Sequence, residues 1–176
     1  MSKVVLLAFA MLFSEMALAK SFNVENAERN EVRWEAVGNP GLLTIDGEGG
    51  AVTGTANFDK GKVWGEFEVE LSDFKTGIKL RDKHMKEEYL HTKTWPKAKL
   101  KMFHSKFSKN FEWEGELTLH GVKRKVKGKG SVGKRGSGWR LDASMVIVLS
   151  DYAIDIPSYM GVTFAKDVTI KVRLVL

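Results

Sequence analysis

Residues 111–132 read FEWEGELTLHGVKRKVKGKGSV, and this stretch decides the fold. Before His120-Gly121, the residues Phe111, Trp113, Gly115, Leu117 and Leu119 share one parity, and Glu112, Glu114, Glu116 and Thr118 share the other. After it, Val122, Val126, Gly128, Gly130 and Val132 alternate with Lys123, Lys125, Lys127, Lys129 and Ser131. A period of two places alternate side chains on opposite faces of a strand, so each run predicts a strand with one buried face. A two-residue turn at His120-Gly121 sets Glu116 opposite Lys125, Glu114 opposite Lys127 and Glu112 opposite Lys129. Opposite charges across an antiparallel pair each contribute roughly 0.2–1 kcal/mol, so the lysines read as half of a charge ladder on the wet face. This accounts for the basic run without a nucleic-acid partner, although the chain carries a formal charge of +6.

The same alternation extends outward. Val32, Trp34 and Ala36 form one apolar set; Val52, Gly54, Ala56 and Phe58 a second; Val63, Gly65, Phe67, Val69 and Leu71 a third. Ala98, Leu100 and Met102 sit between lysines, Trp139 to Leu149 alternate again, and Val168, Ile170, Val172, Leu174 and Leu176 end the chain. Turns are expected at Asp59-Lys60-Gly61, Lys109-Asn110, His120-Gly121 and Gly133 to Gly138. With a short piece near Leu42 to Ile45 this gives roughly eight strands, and the expected fold is all-β, an antiparallel eight-stranded barrel. One exception is Lys79 to His91, rich in helix formers, with Asp82 as expected N-cap and Pro96 beyond the end. This predicts a short helix between strands, across a barrel mouth. Another is Asp151 to Lys166, whose Tyr152, Ile154, Ile156, Tyr159, Met160 and Phe164 are too apolar for a solvated loop.

Length and composition bound the rest. A chain of 176 residues has room for one domain with a real core. Lys3, the apolar run Val4 to Phe13 and Ala17-x-Ala19 read as a secretory signal over residues 1–19, leaving a mature domain of 20–176. The expected location is therefore periplasmic or secreted. There is no cysteine, so neither disulfides nor thiolate metal sites support the domain. The three prolines, Pro40, Pro96 and Pro157, all fall outside the alternating runs, as strand pairing requires.

Several inward positions are tiny: Gly54, Ala56, Gly65, Ala98, Gly115, Gly128, Gly130 and Ala143. An eight-stranded barrel is just wide enough to be filled by side chains or to hold one small ligand, and small inward residues favour a hollow. Its expected walls are Trp34, Phe58, Phe67, Leu100, Met102, Trp113, Leu117, Met145 and Ile147. Such a lining suits a long apolar molecule.

A spaced set of motifs carries a resemblance. Its parts are Gly65-Glu66-Phe67, Thr76-Gly77-Ile78, Leu80-Arg81-Asp82-Lys83-His84-Met85, Tyr89-Leu90, Trp95-Pro96, Leu117 to Val122, and Ser150-Asp151-Tyr152-Ala153-Ile154 through Val168-Thr169-Ile170. Over nearly all of the mature chain this resembles the YceI-like domain family. The Asp-x-x-His-Ser element usual near the start of that family is not visible around Ser21 to Glu31. The resemblance implies a lipocalin-like antiparallel barrel, usually periplasmic, that holds a polyisoprenoid or similar long-chain lipid, with no catalysis in most members; no cofactor is expected.

Polar residues supply the remaining candidates. Arg81, Asp82 and His84 cluster at the start of the expected helix, and Arg124 has the parity of the apolar face. Arg81, His84 and Arg124 are candidates to meet a lipid head group, and structural ion pairing is the alternative. A metal-dependent hydrolytic site would use Asp82, His84 and His91, but the two histidines are seven apart, and no HExxH pair or activated nucleophile is legible. Trp64, between Lys62 and Glu66, offers a homodimer contact or a site for the Asp151–Lys166 segment to cover. The partners expected are thus a long apolar lipid, transient contact with a membrane surface, and no nucleic acid.

Overall fold

The computed structural model describes residues 20–38, 44–136, 138–156, 158–159, 162–163 and 166–175. Among them, ten strands form one antiparallel sheet: β1 (Lys20–Asn23), β2 (Arg29–Val37), β3 (Thr44–Glu48), β4 (Thr53–Asp59), β5 (Lys62–Glu70), β6 (Lys97–Lys106), β7 (Asn110–Leu119), β8 (Val122–Arg135), β9 (Gly138–Val148) and β12 (Asp167–Val175). The spatial order is β1-β4-β5-β6-β7-β8-β9-β12-β2-β3. A separate two-stranded ribbon, β10 (Ser158–Tyr159) with β11 (Val162–Thr163), lies in the segment before β12.

The β7–β8 register matches the sequence reading. Glu112 pairs with Lys129, Glu114 with Lys127, Glu116 with Lys125 and Leu119 with Val122. His120 and Gly121 both have positive φ, +52° and +74°, the geometry of the tight turn whose twist matches its flanking strands. The Lys127–Glu114 ion pair is 2.7 Å, but Glu116 pairs diagonally with Lys123 at 3.2 Å. These pairs are exposed and serve register more than stability. Phe111, Trp113, Leu117 and Leu119 are buried, as the alternation requires.

The expectation of about eight strands is corrected to ten in the main sheet. β1, Lys-Ser-Phe-Asn, was not legible because four residues with one apolar side chain show no alternation; its pairing with β4 defines it. The expected turn over Gly133 to Gly138 is also shorter. Gly133, Lys134 and Arg135 continue β8 and pair with Arg140, Trp139 and Gly138, and Lys134 lies 5.7 Å over the Trp139 ring. The signal segment 1–19, Pro40, Leu42, Pro157, Met160, Phe164, Leu176 and the side chain of Tyr159 lie outside the described residues. Of the expected apolar segment, Tyr152 and Ile154 are buried at 2% and 3% exposure.

Among the described residues the sheet curls with no ladder between its edge strands β1 and β3, and side-chain and backbone hydrogen bonds tie its two ends together in a seam. Asn30 of β2 donates to Val52 O at 2.7 Å and accepts from Val52 N at 2.9 Å, just ahead of β4. It also donates to Val24 O at 3.2 Å. Glu48, ending β3, exchanges two 2.9 Å backbone bonds with Lys75 beyond β5. Asn30→Ala should therefore cost about 1–3 kcal/mol, because the buried Val52 peptide groups lose their partner. A urea titration shifted to a lower midpoint is the expected result; an unchanged midpoint would mean the seam does not depend on this amide.

Between β5 and β6 the chain makes a short helix, α1 (Lys79–His84), which widens into a π-helical turn at Met85–Tyr89. Asp82 is not the N-cap, a position held by Ile78. It sits within the first turn, and its carboxylate reaches back to accept from Thr76 N and Thr76 Oγ1, both at 2.6 Å. The reason is the extended run into the helix: Thr76, not Asp82, holds the free donors.

Candidate functional site

The barrel encloses a cavity of about 800 Å³. Trp34, Phe58, Phe67, Leu100, Met102, Trp113, Leu117, Met145 and Ile147, the nine expected wall residues, all line it, and Arg81 and His84 line it from the lid. Apart from the indole nitrogens of Trp34 and Trp113, only Thr76, Arg81, His84, Tyr89 and Ser144 among the lining residues carry side-chain nitrogen or oxygen. Of these five, Thr76, Arg81, His84 and Tyr89 belong to α1 and its flanks, so the tunnel is largely apolar along its walls and polar at one end. Leu100, Met102, Met145 and Ile170 lie mid-strand on the inner face, yet each is only half-buried, the exposure expected of a side chain facing open space.

The two ends differ. Away from α1, Phe58 meets Phe107 edge-on at 5.1 Å, and Phe107 meets Phe111 at 5.2 Å. Phe107 is held there by its N–H donating to Gly61 O at 2.8 Å. Three rings thus stopper that end, leaving the α1 end as the mouth.

The glycines do something other than leave empty space. Trp113 pairs with Gly128 across β7–β8, and a Cβ on Gly128 would stand 2.1 Å from Trp113 Cζ2. Phe111 covers Gly130 in the same way at 2.3 Å, and Trp34 covers Gly47 at 2.6 Å. The glycines let large rings lie flat on the wall, so the axis stays open although the lining is aromatic. Gly115 is likewise not a gap: a Cβ there would meet Lys101 O at 2.6 Å. The alanines Ala56, Ala98 and Ala143 do face the cavity. Gly47, Trp34, Ile170, Met145, Gly128 and Trp113 form one register row over six neighbouring strands. The indole N–H groups of Trp34 and Trp113 are buried without a protein partner.

A polar network fixes the mouth. Arg81 Nε donates to Thr76 Oγ1 at 2.8 Å and Nη2 to Thr76 O at 3.2 Å, so Arg81 is oriented by a threonine instead of a carboxylate. Burial by itself pushes the Asp82 carboxyl up, but the Thr76 bonds, with Lys86 and Arg81 nearby, outweigh it and hold Asp82 below the usual carboxylate value. Because the folded value lies below the unfolded one, the stabilisation is present above the ordinary carboxylate range and is lost as pH falls through the lowered value. Asp82→Ala should cost about 1 kcal/mol, as for a lost helix cap. Hydrogen exchange over residues 79–89 should then speed up while the strands keep their protection; unchanged exchange in the lid would count against this anchoring.

Behind the lid, His91 Nδ1 and His120 Nε2 lie 2.8 Å apart, and His120 Nδ1 is 3.1 Å from Tyr152 O. A carbonyl only accepts, so His120 Nδ1 donates to it, and in the neutral ring Nε2 is then the acceptor facing His91 Nδ1. The Trp95 ring rests on His120 at 4.0 Å. The lid's trailing loop, the β7–β8 turn and the Tyr152 segment are thereby tied together. The Tyr152 hydroxyl is buried without a protein partner, and burial, with Asp151 adding, pushes the phenol up to about 12 against the pull of Arg124. Tyr152→Phe should leave stability unchanged or raise it by up to about 1 kcal/mol, since no protein bond is lost. A fall in melting temperature of several degrees would contradict this.

Two candidates from sequence are placed elsewhere. Arg124 is exposed, donates to Lys123 O at 3.3 Å and does not line the cavity. Its parity is inward, but it is only the third residue beyond the turn, where a long side chain reaches solvent. Asp82, His84 and His91 are not gathered: Asp82 holds Thr76, His84 stands 3.8 Å from Glu88, and His91 holds His120. Among the described residues no three His, Cys, Asp or Glu side chains could share a metal ion. The Trp64 ring meets His104 at 4.3 Å with the planes tilted by 56°, at the bulge between Val63 and Gly65.

The lid's apolar side was not anticipated. Ile78, Leu80, Met85, Tyr89 and Leu90 line the cavity. The spacing of Met85 and Tyr89, four apart beside Leu90, was the available signal.

The family model described as YceI-like domain matches residues 21–176. Among solved structures, Burkholderia cenocepacia BcnA superposes with a TM-score of 0.70 at 19% identity, covering 82% of this chain and 96% of that one. A polyisoprenoid-binding domain from Saccharophagus degradans, implicated in plant cell wall breakdown, gives 0.62 at 13% identity, covering 88% and 96%. A Campylobacter jejuni YceI protein gives 0.63 at 14% identity, covering 77% and 85%. No curated protein matches the chain.

Proposed function

The chain belongs to the YceI-like domain family, and from that premise we propose that it is a non-catalytic carrier that sequesters a polyisoprenoid or similar long-chain lipid in its lumen. The observation that carries this reading is a cavity of about 800 Å³ whose polar side chains, Ser144 and the indoles of Trp34 and Trp113 apart, stand at one end. That volume lies within the range of small-molecule sites. Removing apolar surface from water is worth about 25 cal/mol per Å², so a long hydrocarbon gains affinity along the tunnel without polar contacts. The mechanism is burial: the tail lies against Trp113, Met145 and Leu100, while Arg81 and His84 at the mouth receive its polar end. Specificity then comes from tunnel length, set by the phenylalanine stopper, and from those two residues.

Export to the periplasm is part of the proposal. It is supported by the basic and apolar start of the chain, by β1 beginning at Lys20, and by the family match beginning at Ser21. Among the described residues no helix is long and apolar enough to cross a membrane. Trp64, whose ring is occupied by His104, supplies no ground for a dimer, and none is proposed.

The test is mass spectrometry of lipid extracted from protein purified gently from its native host, with titration of a fluorescent polyene fatty acid into delipidated protein. One long-chain lipid recovered in near-stoichiometric amount is the expected result. Absence of lipid together with absence of probe binding would overturn the proposal.

A further inference from the structure

We infer that the mouth of the barrel docks on the surface of an anionic lipid bilayer, with Ile78 and Leu80 entering the interface and the surrounding cations meeting the head groups. Five large apolar side chains are prominently exposed among the described residues: Val37, Ile78, Leu80, Phe103 and Val146. Three of them share one rim. Ile78 and Leu80 are 54% and 64% exposed at the start of α1, and Val37, 41% exposed, ends β2 at the same end of the barrel. Exposed apolar groups gathered at one place, with polar residues around them, mark a surface that meets another phase or molecule.

Two further observations choose the occupant. First, Ile78 and Leu80 are exposed to solvent on one side and line the cavity on the other. Whatever covers them also covers the entrance. Second, the charge is one-sided. From residue 75 to 86 the chain carries Lys75, Lys79, Arg81, Lys83 and Lys86 against one acid, Asp82, which is occupied by Thr76; Lys75 meets Glu48 at 3.7 Å and Lys83 meets Glu87 at 3.9 Å in exposed pairs. Glu87 and Glu88 follow at the far end of the helix, near Lys83 and His84. Apolar tips within a cationic collar complement an anionic interface, where each Lys or Arg near the surface contributes roughly fivefold in partitioning. A protein partner would need a broader apolar patch than these three side chains present.

The consequence is mechanistic. Docked through this rim, the tunnel opens directly into the bilayer, and a lipid passes from membrane to lumen without crossing water. The inference rests on the lumen being a lipid site, and the experiment separates the two. Full-length mature chain is mixed with phosphatidylcholine vesicles and with vesicles of about three parts phosphatidylcholine to one part phosphatidylglycerol, and the bound fraction is measured by flotation. Lumen binding is measured apart from vesicles with a fluorescent polyene fatty acid. The expected result is binding to the anionic vesicles at least about tenfold tighter than to the neutral ones, weakening as salt rises. Lys79→Gln/Lys83→Gln should lose about 25-fold in vesicle binding yet bind the probe like the parent. Ile78→Ser/Leu80→Ser should lose about tenfold or more in vesicle binding. Equal binding of parent and both variants to anionic vesicles would overturn the docking, as would failure of the parent to bind them. So would an effect of Ile78→Ser/Leu80→Ser confined to self-association, which would make the rim a contact between copies. If the probe binds no variant while vesicle docking persists, the carrier function fails and the docking surface stands.

Discussion

Gly128→Val should unfold the barrel wall locally and close the tunnel, lowering stability by about 3–5 kcal/mol. The added Cβ would stand 2.1 Å and 2.3 Å from two Trp113 ring carbons and 2.5 Å from Ser144 O on the neighbouring strand. Neither neighbour can yield cheaply. Ser144 is a laddered residue of β9, and Trp113 is 4% exposed. The ring must lift off the wall into the lumen, so overpacking of about 1–3 kcal/mol is joined by lost burial of a large aromatic. Urea unfolding should show the lower midpoint, and probe titration of whatever remains folded should show reduced capacity. Gly133→Val supplies the comparison on the same strand: nothing lies within 4 Å of a Cβ there, so stability should stay within about 0.5 kcal/mol. Equal effects at the two positions would remove the argument that glycines serve as seats for rings.

Ala98→Trp should abolish lipid loading while leaving a folded protein. Ala98 faces the cavity from the second residue of β6, opposite Val69 and near the lid. It is half-buried, so an indole there can extend into open space instead of into packed atoms, and the stability cost should stay below about 2 kcal/mol. The ring would occupy the path that a chain must follow from the mouth. Probe affinity should fall more than tenfold, with far-ultraviolet circular dichroism unchanged. Ala98→Val, which adds two methyl groups, should bind nearly as the parent does. Full loading of a folded Ala98→Trp protein would place the ligand somewhere other than this tunnel.

Most of the wall was legible because a strand's alternation depends only on neighbours in sequence. Phe111, Trp113, Leu117 and their acidic partners declare inside and outside within one strand, and the charge ladder then fixes the β7–β8 register. The nine wall residues follow from parity alone. Parity misled at Arg124, since direction at the backbone does not decide where a long side chain near a strand end finds water. It also misread the glycines, whose meaning depends on the aromatic residue opposite them on another strand. β1 and the Asn30 seam were not legible, because each depends on a partner more than 20 positions away.

Sequence by itself determined an antiparallel sheet with one greasy face, the register of its central hairpin and the parity of the residues that meet inside. These follow from the period-two geometry of a strand and need no distant contact. Only the tertiary structure decided that the curled sheet is tied across its ends through Asn30 and Glu48, that phenylalanines stopper one end, and that α1 leaves Ile78 and Leu80 bare at the other. Whether a greasy face encloses a filled core or an open tunnel depends on where rings lie relative to strands far away in the chain. Gly128 beneath Trp113 is the physical form that this dependence takes here.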